Sequence, residues 1–156
     1  MSLGILVGRF GDFVREQHDA PQEVAPQREF PDALTHIREV CSHHLIPLAL
    51  LARADGHSDA SEQKAILDYC AMLMDKSGSK LSDADRAAFR DYIADFRPTL
   101  TQLEPALKRI EREPKDKVAM LFGAAVNVIE ADGKRDESEV KFLAMLNEDL
   151  AKLEHH

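Results

Sequence analysis

Residues 52–64 read ARADGHSDASEQK, and residues 129–141 read IEADGKRDESEVK. The second phrase lies 77 positions after the first and repeats seven of its thirteen residues. Each phrase follows an apolar stretch with helical periodicity, and each contains a glycine and acidic residues typical of one helix ending and another beginning. The repeat therefore predicts two equivalent helix–loop–helix corners. We call these two stretches the acidic phrases.

The composition favours one soluble, all-α domain. Hydrophobic residues make up 44% and charged residues 31% of the 156 positions, as in ordinary globular proteins. Few stretches alternate with period two, so we predict about seven helices. Segments 45–76 and 118–152 should form two helical hairpins related by a pseudo-two-fold axis. The apolar helices before the phrases should pack centrally through Leu48, Leu51, Ala52, Ala125, Val128 and Ile129.

The chain divides into four parts by composition. Residues 1–18 predict an N-terminal amphipathic helix, 19–30 a proline-rich linker, 31–152 the helical domain, and 153–156 the remnant of an expression tag. Ile5, Leu6, Phe10 and Phe13 are too apolar for a free helix, so we expect them to dock on the domain or on another subunit. Docking on another subunit would make a homo-oligomer.

Three local signals predict where helices begin or break. Pro47 should break or kink the helical pattern that starts near Pro31. Ser82, with Asp85 three residues later, should cap one helix, and Thr101 with Glu104 should cap the next.

Charge and segment lengths exclude several classes of partner. The formal net charge is −8, so phosphate backbones and anionic membranes are unfavourable partners, whereas cations and basic protein surfaces are favourable ones. The longest uncharged run near the second phrase, Val118–Ile129, is too short to span a bilayer. No secretory signal is visible, and we predict a cytoplasmic protein in which Cys41 and Cys70 are buried free thiols.

Most of the repeated acids can be explained as helix caps. Asp59 and Asp136 are good N-caps, and Glu62 and Glu139 would complete capping boxes. Asp55 and Asp132 are different, because each would lie at a helix C-terminus, where the helix dipole disfavours an anion.

Two interpretations of the remaining acids stay open. Their side chains could accept hydrogen bonds from loop amides and close a tight corner. Alternatively, Asp55, Asp59 and Glu62 could converge on a hard divalent cation such as calcium, magnesium or manganese. The spacing does not fit an EF-hand, because Gly56 follows the first aspartate directly and position twelve is Ile66.

Other groups of reactive residues are weaker. His36, Cys41, His43 and His44 lie close in sequence, but no second pair of zinc ligands follows, so a partly buried, hydrogen-bonded histidine group is the better interpretation. No nucleophile elbow, phosphate-binding glycine loop or dinucleotide fingerprint occurs, and we predict a non-enzymatic protein.

The acidic phrases resemble the tellurite-resistance TerB family, whose domain also occurs beside J-domains in co-chaperones. The resemblance rests on a helix ending in Ala-Asp-Gly followed by Asp-x-x-Glu, found twice. It implies an all-α, seven-helix domain and a metal-linked role in stress response. Carried over by position, the metal candidates are Asp55, Asp59, Glu62, Asp132, Asp136 and Glu139. The alternative function is a protein–protein interaction module that uses the acidic corner without metal.

Overall fold

The computed structural model describes residues 3–16, 34–52 and 60–131, together with Lys141, Ala144, Met145 and Glu148. Among these residues the secondary structure is helical, which confirms the all-α class. No described helix is long and apolar enough to cross a membrane. The helices are α1 (Leu3–Glu16), α2 (Thr35–Ala52), α3 (Ala60–Lys76), α4 (Asp83–Asp95), α5 (Leu100–Glu111) and α6 (Lys115–Glu130).

The number of helices differs from the prediction: these residues form six, where about seven were expected. Pro47, which was expected to break or kink the helical pattern, lies inside α2 and does not end it. Proline removes one backbone hydrogen bond, but Pro47 is itself buried and flanked by the buried Leu45 and Leu48, so apolar burial offsets that loss. The predicted final helix, 136–152, lies mostly outside the described residues. The four described positions within it are helical.

The predicted start of α4 is confirmed, and that of α5 is wrong by two residues. Ser82 Oγ accepts a hydrogen bond from the Asp85 backbone N–H at 3.1 Å. In α5 the cap is Thr99, whose backbone N–H donates to Gln102 Oε1 at 2.9 Å. Thr99 and Gln102 have the same capping-box spacing as Thr101 and Glu104, and α5 uses the earlier pair.

Helix α1 docks on its own chain. Its apolar side packs against α5 and α2, and Val7, Phe10, Phe13 and Val14 are buried. The Phe10 ring meets Phe122 of α6 edge to face, with 5.3 Å between centroids. This confirms the docking predicted for Phe10 and Phe13; the side chains of Ile5 and Leu6 lie outside the described part.

Helices α2, α3 and α6 form the centre of the fold. Each contacts the other two, and α2 also contacts α5. The six side chains predicted to pack centrally are all buried: Leu48, Leu51, Ala52, Ala125, Val128 and Ile129. The pseudo-two-fold relation of segments 45–76 and 118–152 stays a prediction, because residues 53–59 and 132–140 lie outside the described residues. The same holds for the domain boundaries at 19–30 and 153–156.

Candidate functional site

The first candidate site is the pair of acidic phrases, and of its six candidate ligands the structure describes only Glu62. Glu62 is the third residue of α3 and has only 8% of its surface exposed. The third position is where the glutamate of a capping box belongs, and a carboxylate there is favoured by the helix dipole. Asp55, Asp59, Asp132, Asp136 and Glu139 lie outside the described residues. The capping and cation-binding interpretations therefore both remain open.

A second polar centre joins three parts of the fold. His43 and His44 come from α2, Tyr69 comes from α3, and Glu113 lies in the turn between α5 and α6. Glu113 Oε1 is 3.0 Å from His43 Nε2 and 2.5 Å from His44 Nε2. The other ring nitrogen of His44, Nδ1, is 2.6 Å from the Tyr69 hydroxyl oxygen. We call these four residues the histidine–glutamate cluster.

Burial and hydrogen bonding fix the protonation states in this cluster. Burial lowers the pKa of His44, and this effect outweighs the opposing attraction of Glu113. Burial alone would raise the pKa of Glu113, but hydrogen bonds from His43 and His44 overcome it and lower that pKa to about 2. At neutral pH, His44 is therefore a neutral imidazole that donates from Nε2 to an ionised carboxylate and accepts the Tyr69 O–H at Nδ1. Burial raises the pKa of Tyr69, which keeps its hydroxyl a donor.

His43 is less completely satisfied than its neighbour. Its side chain is 9% exposed, and its Nδ1 has no hydrogen-bond partner within the part of the chain that the structure describes. A buried polar atom without a partner costs roughly 1–3 kcal/mol. Packing alone does not explain a histidine here, because an apolar side chain of similar size would fill the space without that cost.

A cleft of about 240 Å³ reaches the cluster from the surface. His44 and Glu113 form part of its wall, so the two groups are accessible from outside although both are mostly buried. Charged side chains of both signs line the same cleft: Lys76, Asp116 and Lys117. With Glu113 ionised, these four side chains sum to no net charge.

Sequence reasoning identified the histidines of this cluster but not its carboxylate. The expected hydrogen-bonded histidine group is present in His43 and His44. Glu113 lies 70 residues from His43, so no local spacing links them. The thiol prediction is also confirmed: Cys41 and Cys70 are free and buried.

A comparison with protein-family models matches residues 43–155 to the family described as tellurite resistance protein TerB. The matched region begins at His43 and includes both acidic phrases and Glu113. No curated protein and no solved structure matches the chain significantly.

Proposed function

The chain belongs to the TerB family, and from this premise we propose that it is a non-enzymatic cytoplasmic domain of the tellurite- or metal-related stress response. The single observation that supports the proposal is the family match, which spans most of the chain and both acidic phrases. The proposed activity is the binding of a divalent cation by carboxylates of the two phrases.

The chemistry of the phrases supports a hard cation. Calcium, magnesium and manganese prefer oxygen ligands, and carboxylates and backbone carbonyls are the oxygen donors that proteins supply. Asp55 and Asp132 follow the ends of apolar helices, where unpaired backbone carbonyls occur. Glu62 adds a carboxylate that is mostly removed from water. The proposed site therefore comprises Asp55, Asp59, Glu62, Asp132, Asp136 and Glu139.

A second candidate function is a protein-interaction module. The net charge of −8 favours a basic protein surface as the partner, and in this case the same acids would bind that surface without a metal. A homo-oligomer through α1 is the less favoured form of partnership, because Phe10 and Phe13 already pack within the chain.

Thermal unfolding with and without divalent cations distinguishes the two functions. Asp55→Asn and Asp132→Asn each keep a side-chain oxygen acceptor while removing the charge. A cation at about 100 times its Kd stabilises a protein that binds it by roughly 2.7 kcal/mol. For a domain of this size we expect a rise of about 5–10 °C in Tm for the wild type. The two variants should lose most of that rise but melt like the wild type in chelator.

Asp75→Asn is the matched control. Asp75 is an exposed acid in the last turn of α3, outside both phrases, and its substitution should leave the cation effect intact. A wild-type Tm that millimolar calcium, magnesium and manganese all leave unchanged would refute cation binding and favour the interaction module.

A further inference from the structure

The histidine–glutamate cluster brings three potential metal-ligating atoms together from distant parts of the chain. One nitrogen each from His43 and His44 and one oxygen from Glu113 all lie within 4.8 Å of one another. Adjacent residues on a helix point about 100° apart, so the two histidines would not ordinarily aim at a common point. Their rings are nearly perpendicular, at 85°, and both Nε2 atoms approach the same carboxylate oxygen.

The two nitrogen–oxygen separations are close to those of a tetrahedral metal centre. Zinc binds imidazole nitrogen and carboxylate oxygen at about 2.0–2.2 Å, which places neighbouring ligand atoms about 3.3 Å apart. The carboxylate oxygen now lies 3.0 Å and 2.5 Å from the two Nε2 atoms. An ion could therefore enter between the three atoms if the carboxylate withdrew by less than about 1 Å. Glu113 lies in a turn rather than within a helix, so such a shift does not require a helix to move.

The ligand types indicate which metals the cluster would select. Two imidazoles and one carboxylate suit zinc and its neighbours in the first transition series, whereas calcium and magnesium prefer oxygen alone. The charge of the cleft points the same way. Because Lys76 and Lys117 balance Glu113 and Asp116, the cleft offers no net negative field to a hard cation. An ion would have to be held by coordination to nitrogen.

Tyr69 provides the outer support that metal-binding histidines usually have. A ligating histidine commonly uses its second ring nitrogen for a hydrogen bond that fixes the orientation of the ring. His44 Nδ1 is already 2.6 Å from the Tyr69 hydroxyl oxygen. With Nε2 on a metal, the ring proton would be on Nδ1, and this N–H would donate a hydrogen bond to the hydroxyl oxygen of Tyr69. Tyr69 is thus a positioning residue for His44.

We propose that His43, His44 and Glu113 form a binding site for one zinc-class divalent cation, with a water or small anion from the cleft as the fourth ligand. This site is separate from the acidic phrases in both residues and metal preference. It does not depend on the function proposed above.

The test is titration with zinc and cobalt(II) under a fixed excess of magnesium. The full chain carries His155→Ala and His156→Ala throughout, because the terminal histidine pair could itself bind zinc. We expect one equivalent of zinc to bind by calorimetry. Cobalt(II) should give the intense visible bands of a four-coordinate centre, without the near-ultraviolet charge-transfer band that would indicate ligation by Cys41 or Cys70.

Variants of the cluster assign the binding to these residues. Tyr69→Phe should weaken zinc by about 10- to 100-fold while keeping the stoichiometry and the cobalt spectrum, since outer-shell partners have effects of that size. Glu113→Gln, which removes a ligand, should weaken zinc by more than about 100-fold. Glu111→Gln, an exposed glutamate two residues away, should leave the affinity unchanged. Asp55→Asn and Asp132→Asn should also leave it unchanged.

Several results would overturn the proposal. These are the absence of a saturable zinc site, a six-coordinate or thiolate cobalt spectrum, and a zinc affinity that Glu113→Gln leaves intact. Circular dichroism establishes that each variant is folded. If Glu113→Gln does not fold, Tyr69→Phe decides the matter, and an affinity within about threefold of the parent would refute the site.

Discussion

Replacing Glu113 by Gln should destabilise the protein by about 2 kcal/mol at pH 7 in the presence of chelator. The Glu113 side chain is 15% exposed and accepts hydrogen bonds from two histidines. A hydrogen bond to a charged group contributes about 1.5–3 kcal/mol and a neutral one about 0.5–1.5 kcal/mol. Glutamine keeps an acceptor oxygen but loses the charge, so each of the two bonds weakens by about 1 kcal/mol.

The lowered pKa of Glu113 gives an upper value for the free energy that the same hydrogen bonds contribute. A carboxyl whose pKa falls from 4.5 to about 2 has its ionised form favoured in the folded state. At about 1.4 kcal/mol per pH unit, the corresponding free energy is roughly 3 kcal/mol. Because the folded pKa is the lower one, this stability is present above pH 4.5 and is lost as the pH falls through about 2.

Urea unfolding at pH 7 measures the effect, with Glu111→Gln as the control. We expect Glu113→Gln to lower the free energy of unfolding by about 2 kcal/mol, or Tm by about 4–8 °C, with an unchanged urea slope. The control, on an exposed side chain, should stay within about 0.5 kcal/mol of the wild type. Carbon NMR titration should also show the Glu113 carboxyl ionising well below pH 4. Equal stability of the two variants, or an ordinary titration midpoint for Glu113, would show that the two histidines do not stabilise the Glu113 carboxylate.

Two further predictions concern α1 and the pH dependence of stability. A Cβ added at Gly11 would clash with Leu107 Cδ1, whereas one added at Gly8 meets nothing within 4 Å. Gly8→Ala should therefore stabilise the protein by about 0.5–1 kcal/mol. Gly11→Ala should be about 1–3 kcal/mol less favourable than Gly8→Ala, as measured by chemical denaturation. Equal effects of the two substitutions would show that α1 does not pack as described. Because burial lowers the pKa of His44 below 6.5, the unfolded chain binds its proton first, and stability should fall as the pH drops below 6.5. His44→Gln should flatten that decline between pH 6.5 and 5, and an unchanged slope would show that His44 is not responsible.

Local patterns in the sequence were sufficient for the helical class and for most of the core. Periodicity depends on neighbouring residues, so the buried faces of α1, α2 and α6 could be predicted. The Ser82 cap was found for the same reason, because a cap and its partner lie three residues apart.

The errors arose where tertiary contacts outweigh local preference. Pro47 is unfavourable within a helix by its own chemistry, and only its burial in the core explains why α2 continues through it. The start of α5 depends on which of two similar capping patterns the chain uses, and spacing alone does not distinguish Thr99 from Thr101.

The histidine–glutamate cluster could be predicted only in part. The adjacent histidines were visible, but their partner Glu113 reaches them through the packing of α2 against α5 and α6. A contact between residues 70 positions apart has no signature in one sequence. The acidic phrases present the opposite case, because their repetition is evident from the sequence while five of the six candidate ligands lie outside the described residues.

The most direct test of cation binding by the acidic phrases is the anomalous difference density of a crystal soaked in millimolar manganese. We expect a peak at one or both phrases, surrounded by carboxylate oxygens that include Asp55 or Asp132. In Asp55→Asn and Asp132→Asn crystals, the corresponding peak should weaken or disappear. A well-ordered crystal with no manganese peak at either phrase would contradict cation binding by the acidic phrases.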